Sequence, residues 1–200
     1  IGVLPAMPTT PYDLLVIGGG INGAGIARDA AGRGLSVRLA EKYALPAAPS
    51  QWSTKLIHGG LRYLEYYEFR LVGESLAERE VLLANAPHIV APLAFVLPHE
   101  PHLRPAWMIR IGLFLYDHLG KRVTLPKSFG VKLSDSRWAA GLKPRFRKGF
   151  VYADARVDDA RLVVANVLDA QAHGAQIRVR TRVTGGAGFL GSHLCERLVE

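Results

Sequence analysis

Three glycines near the N-terminus, Gly18, Gly20 and Gly23, have the spacing of a turn that holds a nucleotide diphosphate. In such a turn the first glycine permits a sharp bend, the second lets the backbone approach the phosphates, and the third lets the helix pack closely on its strand. The N–H groups and dipole at the start of that helix attract phosphate. Glu41 can accept hydrogen bonds from ribose hydroxyls, and its charge would repel a 2′-phosphate. These residues predict a dinucleotide site; the alternative is a glycine-rich turn in another kind of α/β protein.

The flanking sequence predicts the elements that would position this site. Leu14–Ile17 is a short apolar run, typical of a buried parallel strand, and the glycines follow it directly. Ala24–Ala31 continues as a helix of small residues, which Gly32 and Gly34 end. Leu35–Ala40 is a second short strand that leads to the acidic residue. The order of strand, motif, helix, strand and acid predicts a βαβ unit in an α/β protein.

Periodicity and turn residues predict the elements of the remaining chain. Pro92 lies within an apolar run, which favours an edge or irregular strand there. Residues 121–150 are basic, with Gly and Pro scattered through them, so we predict mostly loop. The predicted helices are Tyr67–Ala86, Ala106–Leu119 and Asp158–His173, and the predicted strands are Ile89–Leu97 and Gln176–Val183.

Composition limits the classes of function. The 200 residues are 49% hydrophobic and 21% charged, as in globular proteins, and lack the apolar run of roughly 18 residues that a membrane-spanning helix needs. Cys195 is the single cysteine, so no disulfide can form within the chain, which fits a reducing compartment. The net charge of +8 suits nucleic acid, an anionic membrane surface or an anionic substrate. Nucleic acid is the least favoured, because the sequence has no zinc-ligand spacing and no basic run interleaved with aromatic residues.

Longer segments add a resemblance to a known family. From Tyr12 to Val183 the chain resembles the N-terminal part of the FAD-dependent glycerol-3-phosphate dehydrogenases, whose members are much longer. The segments that carry the resemblance, besides the glycine motif, are Ser53–Glu65 (STKLIHGGLRYLE), Tyr67–Val72, Leu76–Leu83, His102–Phe114, Tyr116–Arg122 and Val157–Val163.

The resemblance implies a fold and an activity. The expected fold is an incomplete FAD/NAD(P)-binding Rossmann-like domain of the glutathione-reductase-like class, with part of a substrate or cap domain. The expected reaction is the FAD-dependent oxidation of sn-glycerol 3-phosphate to dihydroxyacetone phosphate, with electrons passed to a membrane quinone. The resemblance also implies a cytoplasmic protein on the inner face of the cell membrane, at an anionic surface, and it leaves a homodimer open. No metal is expected.

The resemblance also assigns residues to the site. The ADP half of FAD would be held by Gly18, Gly20, Asn22, Gly23 and Glu41. The flavin and its phosphates would be flanked by Ser53, Thr54, Leu56, His58 and Gly60. The substrate would face Arg62 and Tyr63, with Arg62 pairing its phosphate; His58 and Arg62 are the candidate catalytic residues.

Each of these roles has a simpler alternative. His58 can handle a proton near neutral pH, but we favour the alternative that it only hydrogen-bonds the flavin or the backbone. Arg62 can bind phosphate through two charge-assisted bonds, and its alternative is a surface or helix-capping arginine. Residues 106–122 combine aromatic and basic side chains and suit either an interfacial helix on an anionic membrane or a buried helix. Asp158 and Asp159 are expected to cap a helix.

The C-terminal segment departs from the resemblance. Thr184–Glu200 (TGGAGFLGSHLCERLVE) resembles the glycine motif that opens the extended short-chain dehydrogenases, the NAD-dependent epimerase group, through Gly185, Gly188 and Gly191. We interpret it as a fusion or assembly artefact. The predicted organisation is a disordered extension at 1–11, a partial FAD-binding domain at 12–89 and 151–184, a partial cap at 90–150, and this foreign-looking segment at 185–200.

Other functions stay open at this point. The fragment is expected to be inactive alone, because the family draws further substrate contacts from later sequence. The first alternative is another FAD-dependent amine or alcohol oxidoreductase of the glycine-oxidase type. The others are a non-functional chimeric product and an NAD-dependent sugar-nucleotide enzyme, which would depend only on the last residues.

Overall fold

The computed structural model describes residues 11–46, 48–100, 102, 104–134 and 137–183. The predicted N-terminal extension, except residue 11, and the epimerase-like segment lie outside these residues. The chain divides into two compact units, one drawn from residues 1–53 and 159–200 and the other from residues 54–158. We call them unit one and unit two. This division falls at other residues than the predicted domain boundaries, since residues 54–89 and 151–158 group with the predicted cap region.

Unit one is built on a small parallel sheet. The strands β1 (Leu14–Ile17) and β2 (Val37–Ala40) pair along their whole length, and β7 (Gln176–Arg178) pairs with the other edge of β2. The helix α1 (Ile21–Gly32) joins the first two strands, as the βαβ pattern predicted. The helix α4 (Asp159–Ala172) leads into β7, which is shorter than predicted because the chain turns to a positive φ at Arg180.

Small side chains allow close packing of α1 in unit one. Ala24, Ala27 and Ala30 of α1 are almost fully buried. Ala24 packs in one cluster with Val163 and Val167 of α4, whereas Ala27 and Ala30 lie in a second cluster with the strand residues. Alanine lets a helix axis approach its neighbours closely, so the small-residue helix seen in the sequence is a packing surface. Each buried alanine carries little apolar area, and most of the apolar free energy therefore comes from the strand and α4 side chains.

Unit two is an antiparallel sheet with two helices. The central strand is β6 (Lys148–Val157), which was not predicted. It pairs with the three other strands that the structure describes in this unit, namely β3 (Leu56–Ile57), β4 (Val90–His99) and β5 (Phe129–Lys132). The helices are α2 (Phe69–Asn85) and α3 (Ala106–His118), within two residues of their predicted bounds.

The prediction of an edge strand around Pro92 is confirmed, because β4 pairs only with β6 among the described strands. The prediction of mostly loop over residues 121–150 is confirmed, and the regular strands within it are β5 and the start of β6. Of the helices that the structure describes, none combines the length and apolar character of a membrane span.

Candidate functional site

The glycine turn of unit one lies at the corner between β1 and α1. Gly18 has a φ of +105°, which side-chain-bearing residues rarely adopt, and its N–H donates to the Ala40 carbonyl at 2.8 Å. A Cβ atom at Gly23 would lie 1.9 Å from the Gly18 carbonyl oxygen and 3.3 Å from Val16 Cγ1. The first and third glycines therefore meet the sharp-bend and close-packing requirements from which the turn was predicted.

The start of α1 presents backbone N–H groups that can donate to a ligand. The Ser50 hydroxyl oxygen accepts a bond from the Ile21 N–H at 3.0 Å, and a Cβ at Gly20 would lie 2.9 Å from that oxygen. Within the described part of the chain, no partner is seen for the N–H groups of Asn22 and Gly23. Unpaired N–H groups at a helix start carry partial positive charge, so this end of α1 suits a phosphate.

Ser50 was missed by the sequence interpretation. It lies on a short 3₁₀ helix, Ala48–Gln51, within the loop rich in Pro and Ala that follows β2. While its oxygen accepts from the backbone of α1, its hydroxyl hydrogen is free to point to an anion. The only sequence signal was a hydroxyl residue in the loop that follows the acidic residue, which is too weak to use alone.

Glu41 is buried against the glycine turn, with 7% of its surface exposed. Its Oε2 accepts from the Gly19 N–H at 2.7 Å, and its Oε1 accepts from the Tyr43 N–H at 2.8 Å. Two backbone donors thus fix the carboxylate beside the turn. Each carboxylate oxygen keeps a further lone pair, so ribose hydroxyls can still donate to Glu41.

Ser53 lies at the other end of the same loop, and its hydroxyl has a protein partner. The Ser53 N–H and hydroxyl both donate to Oδ2 of Asp159, at 3.2 and 2.7 Å. Asp159 is the first residue of α4, and its Oδ1 accepts from the Ala160 N–H at 2.9 Å. The carboxylate therefore caps α4, as expected of this acidic pair. The neighbouring Thr54 is exposed and begins unit two.

Unit two contains a cavity of about 410 Å³ that gathers most of the other predicted site residues. The cavity is lined by Leu56, His58, Gly60, Leu61, Arg62, Glu65, Phe95, Tyr152 and Asp154. Tyr63 is not one of these lining residues, but its ring lies so near Gly60 that a Cβ there would be 2.4 Å from Tyr63 Cδ2. The structure thus brings both candidate catalytic residues into one space.

His58 has a defined hydrogen-bonding role in this cavity. Its Nδ1 accepts from the Gly60 N–H at 3.0 Å. A ring nitrogen that accepts a bond carries no proton, so the neutral ring has its hydrogen on Nε2. In this geometry the imidazole of His58 is a donor through Nε2, and action as a base through Nδ1 would require the backbone bond to break.

Arg62 is free to bind an anion. It is exposed on the 3₁₀ helix Leu61–Tyr66, one turn beyond His58. The nearest carboxylate along that helix, Glu65, is occupied by Arg104, whose Nη1 lies 2.7 Å from Oε1. The structure shows no ion pair for Arg62 among the described residues, which leaves its guanidinium to a ligand from solution.

Asp154 was also missed by the sequence interpretation. This cavity residue is 4% exposed, and its Oδ1 forms an ion pair with Arg79 and accepts from the Tyr116 hydroxyl at 2.7 Å. Burial, and next the nearby Asp154 carboxylate, raise the pKa of the Tyr116 hydroxyl above its ordinary value, so Tyr116 keeps its proton.

Comparison with known proteins adds the evidence of relatives. The chain matches the family described as FAD dependent oxidoreductase over residues 13–192. It is 67% identical over 171 residues to a glycerol-3-phosphate dehydrogenase of Pseudomonas aeruginosa, covering 86% of the chain and 33% of that protein. An aerobic glycerol-3-phosphate dehydrogenase of Escherichia coli is 63% identical over 172 residues, covering 86% of the chain and 34% of that protein.

A third relative has another name. A D-erythritol 1-phosphate dehydrogenase of Brucella abortus is 57% identical over 184 residues, covering 92% of the chain and 37% of that protein. The chain therefore spans about a third of the length of the curated relatives it matches.

Solved structures of similar fold include a glycerol-3-phosphate dehydrogenase from Bacillus halodurans complexed with FAD, with a TM-score of 0.57 and 29% identity. That match covers 88% of this chain and 28% of the other. A glycine oxidase from Bacillus cereus has a TM-score of 0.57 at 21% identity, covering 86% of this chain and 48% of the other. Identity that low shows a shared fold alone, so the glycine-oxidase alternative fits less well.

Proposed function

This chain belongs to the FAD dependent oxidoreductase family, as its sequence predicted, and we propose that it supplies the dinucleotide turn and substrate-phosphate contacts of a glycerol-3-phosphate dehydrogenase. The observation that carries this proposal is the cavity lined by both His58 and Arg62. The reaction is the oxidation of sn-glycerol 3-phosphate to dihydroxyacetone phosphate, with a quinone as the electron acceptor. When bound, FAD supplies the acceptor for the hydride that leaves the secondary carbon.

Unit one is proposed to hold the ADP half of FAD. Its residues fit that group, because the turn has no room for a side chain at Gly23 and the N–H groups of Asn22 and Gly23 lack partners within the described residues. These N–H groups and the Ser50 hydroxyl would donate to the diphosphate. Glu41, fixed by two backbone bonds, would accept from the ribose hydroxyls.

Unit two is proposed to hold the substrate. Arg62 can form two parallel bonds to the phosphate, and its charge matches the doubly anionic group. Tyr63 follows it and borders the same turn. The His58 Nε2–H can donate to an oxygen of the flavin or of the substrate, since its Nδ1 is held by the backbone. On this view His58 orients a reactant and Arg62 selects phosphorylated alcohols.

Cofactor binding can be tested on the purified chain. Titration with FAD, followed through quenching of flavin fluorescence, should give saturable binding at one site per chain. NADP should not compete, because the Glu41 carboxylate would repel its 2′-phosphate. A chain that takes up no FAD, or that binds NADP equally well, would contradict the proposed role of unit one.

Substrate recognition can be tested in the enzyme that contains this chain. Replacing Arg62 with Ala should raise the KM for sn-glycerol 3-phosphate about 100-fold in dye-reduction assays, since loss of a charge-assisted bidentate contact costs roughly 3 kcal/mol. The matched control is Arg70→Ala, because Arg70 is exposed on α2 and forms an ion pair with Glu74 of the same helix at 2.8 Å. Equal KM values for the two variants would refute the role of Arg62.

D-erythritol 1-phosphate is the second candidate substrate, because a relative 57% identical to the chain is named for it. Arg62 would serve either substrate, since both carry a phosphate. A panel of the two compounds, compared by kcat/KM, decides between them. A higher kcat/KM for glycine or another amine than for either phosphorylated alcohol would favour the glycine-oxidase alternative.

The exposed face of α3 supports a proposal about location. Trp107, Ile111 and Phe114 recur at helical spacing and are 62%, 52% and 53% exposed. Arg110 of the same helix and the net charge of +8 would attract anionic headgroups. The Arg110 guanidinium also donates to the Ser128 hydroxyl. We propose that this face rests on the inner surface of the cell membrane, where a quinone is available.

Vesicle sedimentation tests this location. Binding should be stronger to vesicles with anionic phosphatidylglycerol than to phosphatidylcholine alone and should weaken with salt. The double variant Trp107→Ser and Phe114→Ser should bind less, whereas Val81→Ser, at an exposed apolar position of α2, should bind as the wild type does. Unchanged binding of the double variant would refute the proposal.

A further inference from the structure

A buried polar chain in unit two ends at Asp154, one of the residues that line the cavity. The Gly59 N–H donates to the Tyr116 hydroxyl at 2.8 Å, and that hydroxyl donates to Asp154 Oδ1 at 2.7 Å. Arg79 completes the chain through its ion pair with the same carboxylate oxygen. Arg79, Tyr116 and Asp154 are 1%, 1% and 4% exposed. Three side chains from α2, α3 and β6 are thus linked to one backbone N–H.

Packing alone does not explain this polar chain. Taking two charges out of water is costly, and apolar residues of similar volume in place of a buried ion pair often leave stability unchanged or higher. Tyr116 already packs with Val72 and Leu76 in an apolar cluster, so an apolar residue would fill the same space. What an apolar residue could not supply is an oriented hydroxyl: with its hydrogen committed to Asp154, the oxygen of Tyr116 must accept from Gly59.

The backbone segment whose Gly59 N–H donates this bond carries the proposed substrate contacts. A Cβ at Gly59 would lie 2.4 Å from Leu76 Cδ2, so the turn is pressed against α2. The next residue, Gly60, has a φ of +69° and donates to His58 Nδ1. The 3₁₀ helix that bears Arg62 begins immediately afterwards. A shift of the Gly59 N–H therefore moves the residues on both sides of it.

We propose that Tyr116, oriented by the Asp154–Arg79 ion pair, is a positioning residue that fixes the turn from His58 to Arg62. Its hydroxyl fixes the distance between this turn and α2, and thereby places the His58 imidazole and the Arg62 guanidinium in the cavity. The part of this role that concerns substrate rests on the proposed function. The part that concerns the turn does not, and the two can be measured separately.

The test is the Tyr116→Phe variant, which keeps the ring and its packing but removes the hydroxyl. Amide hydrogen exchange at Gly59 should become about tenfold faster, because one intramolecular hydrogen bond is worth roughly a factor of ten in a local opening equilibrium. In the enzyme that contains this chain, the KM for sn-glycerol 3-phosphate should rise about tenfold, with a smaller change in kcat. Loss of phosphate positioning weakens the ground and transition states alike.

The matched control is Ser128→Ala. Ser128 is 4% exposed, and its hydroxyl donates to Asp117 at 2.6 Å in the same unit but outside the polar chain. This variant should lose stability through the same kind of bond, with no effect on Gly59 exchange or on KM. If Tyr116→Phe and Ser128→Ala behave alike in exchange and KM, Tyr116 contributes to stability only and the proposal is overturned.

The wild-type chain offers a second measurement that needs no variant. The Gly59 amide should be strongly protected from exchange, and rapid exchange at Gly59 would overturn the proposal even if Tyr116→Phe fails to fold. If the wild-type enzyme does not oxidise sn-glycerol 3-phosphate, the proposed function fails. The exchange comparison then still decides whether Tyr116 holds the turn.

Discussion

Gly23 and Gly25 lie two residues apart on α1, and replacing each with Ala should change stability in opposite directions. At Gly25 the added Cβ would meet nothing within 4 Å apart from its chain neighbours and the nearby backbone of α1 itself, so the substitution gains about 1 kcal/mol of helix propensity. At Gly23 the same gain is opposed by a Cβ placed 1.9 Å from the Gly18 carbonyl oxygen. That carbonyl cannot withdraw easily, because the Gly18 N–H is bonded to β2 at 2.8 Å.

The net effect follows from these two terms. Overpacking against fixed backbone costs about 3 kcal/mol at the upper end of the usual range, and the propensity gain of about 1 kcal/mol reduces this to a loss of about 2 kcal/mol. The two variants should therefore differ by about 3 kcal/mol in the free energy of unfolding. For a chain of this size that difference corresponds to roughly 6–12 °C in Tm.

The assay is urea unfolding of the purified chain, monitored by circular dichroism and repeated as a thermal scan. Gly25→Ala should unfold at higher urea than the wild type, and Gly23→Ala at lower urea. FAD should raise the Tm of Gly25→Ala but not that of Gly23→Ala, whose turn is displaced. Equal stability of the two variants would show that α1 does not lie against the turn as described, and the proposed diphosphate site would fail with it.

Three further changes test unit one. Glu41→Gln should weaken FAD binding about tenfold in a fluorescence titration. Both carboxylate oxygens of Glu41 accept from backbone N–H groups, and the NH₂ group of Gln, itself a donor, cannot replace one of them. Ser50→Ala should weaken FAD binding by about threefold to tenfold in the same titration and leave NADP rejection intact, since the acidic residue remains. The hydrogen bond from Arg28 holds the pKa of the Asp169 carboxyl below its ordinary value of 3.8, so its stabilising effect is present above that pH and is lost as the pH falls through the lowered pKa. Arg28→Met should therefore lower stability at pH 7, and the difference from the wild type should vanish in strong acid and shrink in high salt.

The glycine turn was predictable because its determinants are local. The strand Leu14–Ile17 has the predicted bounds, and the predicted helix Ala24–Ala31 lies within α1, which begins three residues earlier, at Ile21. Each step depends on residues a few positions apart: an apolar run, a residue that tolerates positive φ, and a helix of small side chains. The match of predicted and observed bounds for α3, which differ only by its last residue, has the same origin in a single apolar segment.

β6 could not be predicted in this way, because two charges interrupt its apolar pattern. Asp154 and Arg156 lie in the second half of the strand, and such residues ordinarily argue against a buried central strand. The charge of Asp154 is tolerated only because Arg79, 75 positions away along the chain, pairs with it. The role of Ser50 could not be predicted for a related reason. Its partner, the Ile21 N–H, is 29 positions away along the chain, across a loop with no regular pattern.

The glycines of the two turns serve different purposes that the sequence does not separate. Gly18 and Gly60 supply a positive φ, whereas Gly23 and Gly59 leave room for backbone or for a leucine packed against them. None of these four functions requires a ligand. Each turn becomes a candidate site because a buried polar side chain fixes one of its backbone N–H groups. Glu41 accepts from the Gly19 N–H in the first turn, and Tyr116 accepts from the Gly59 N–H in the second. The ligand-binding geometry of both turns therefore depends on side chains that follow the glycine motifs by many residues, and substitutions there should alter binding while both motifs stay intact.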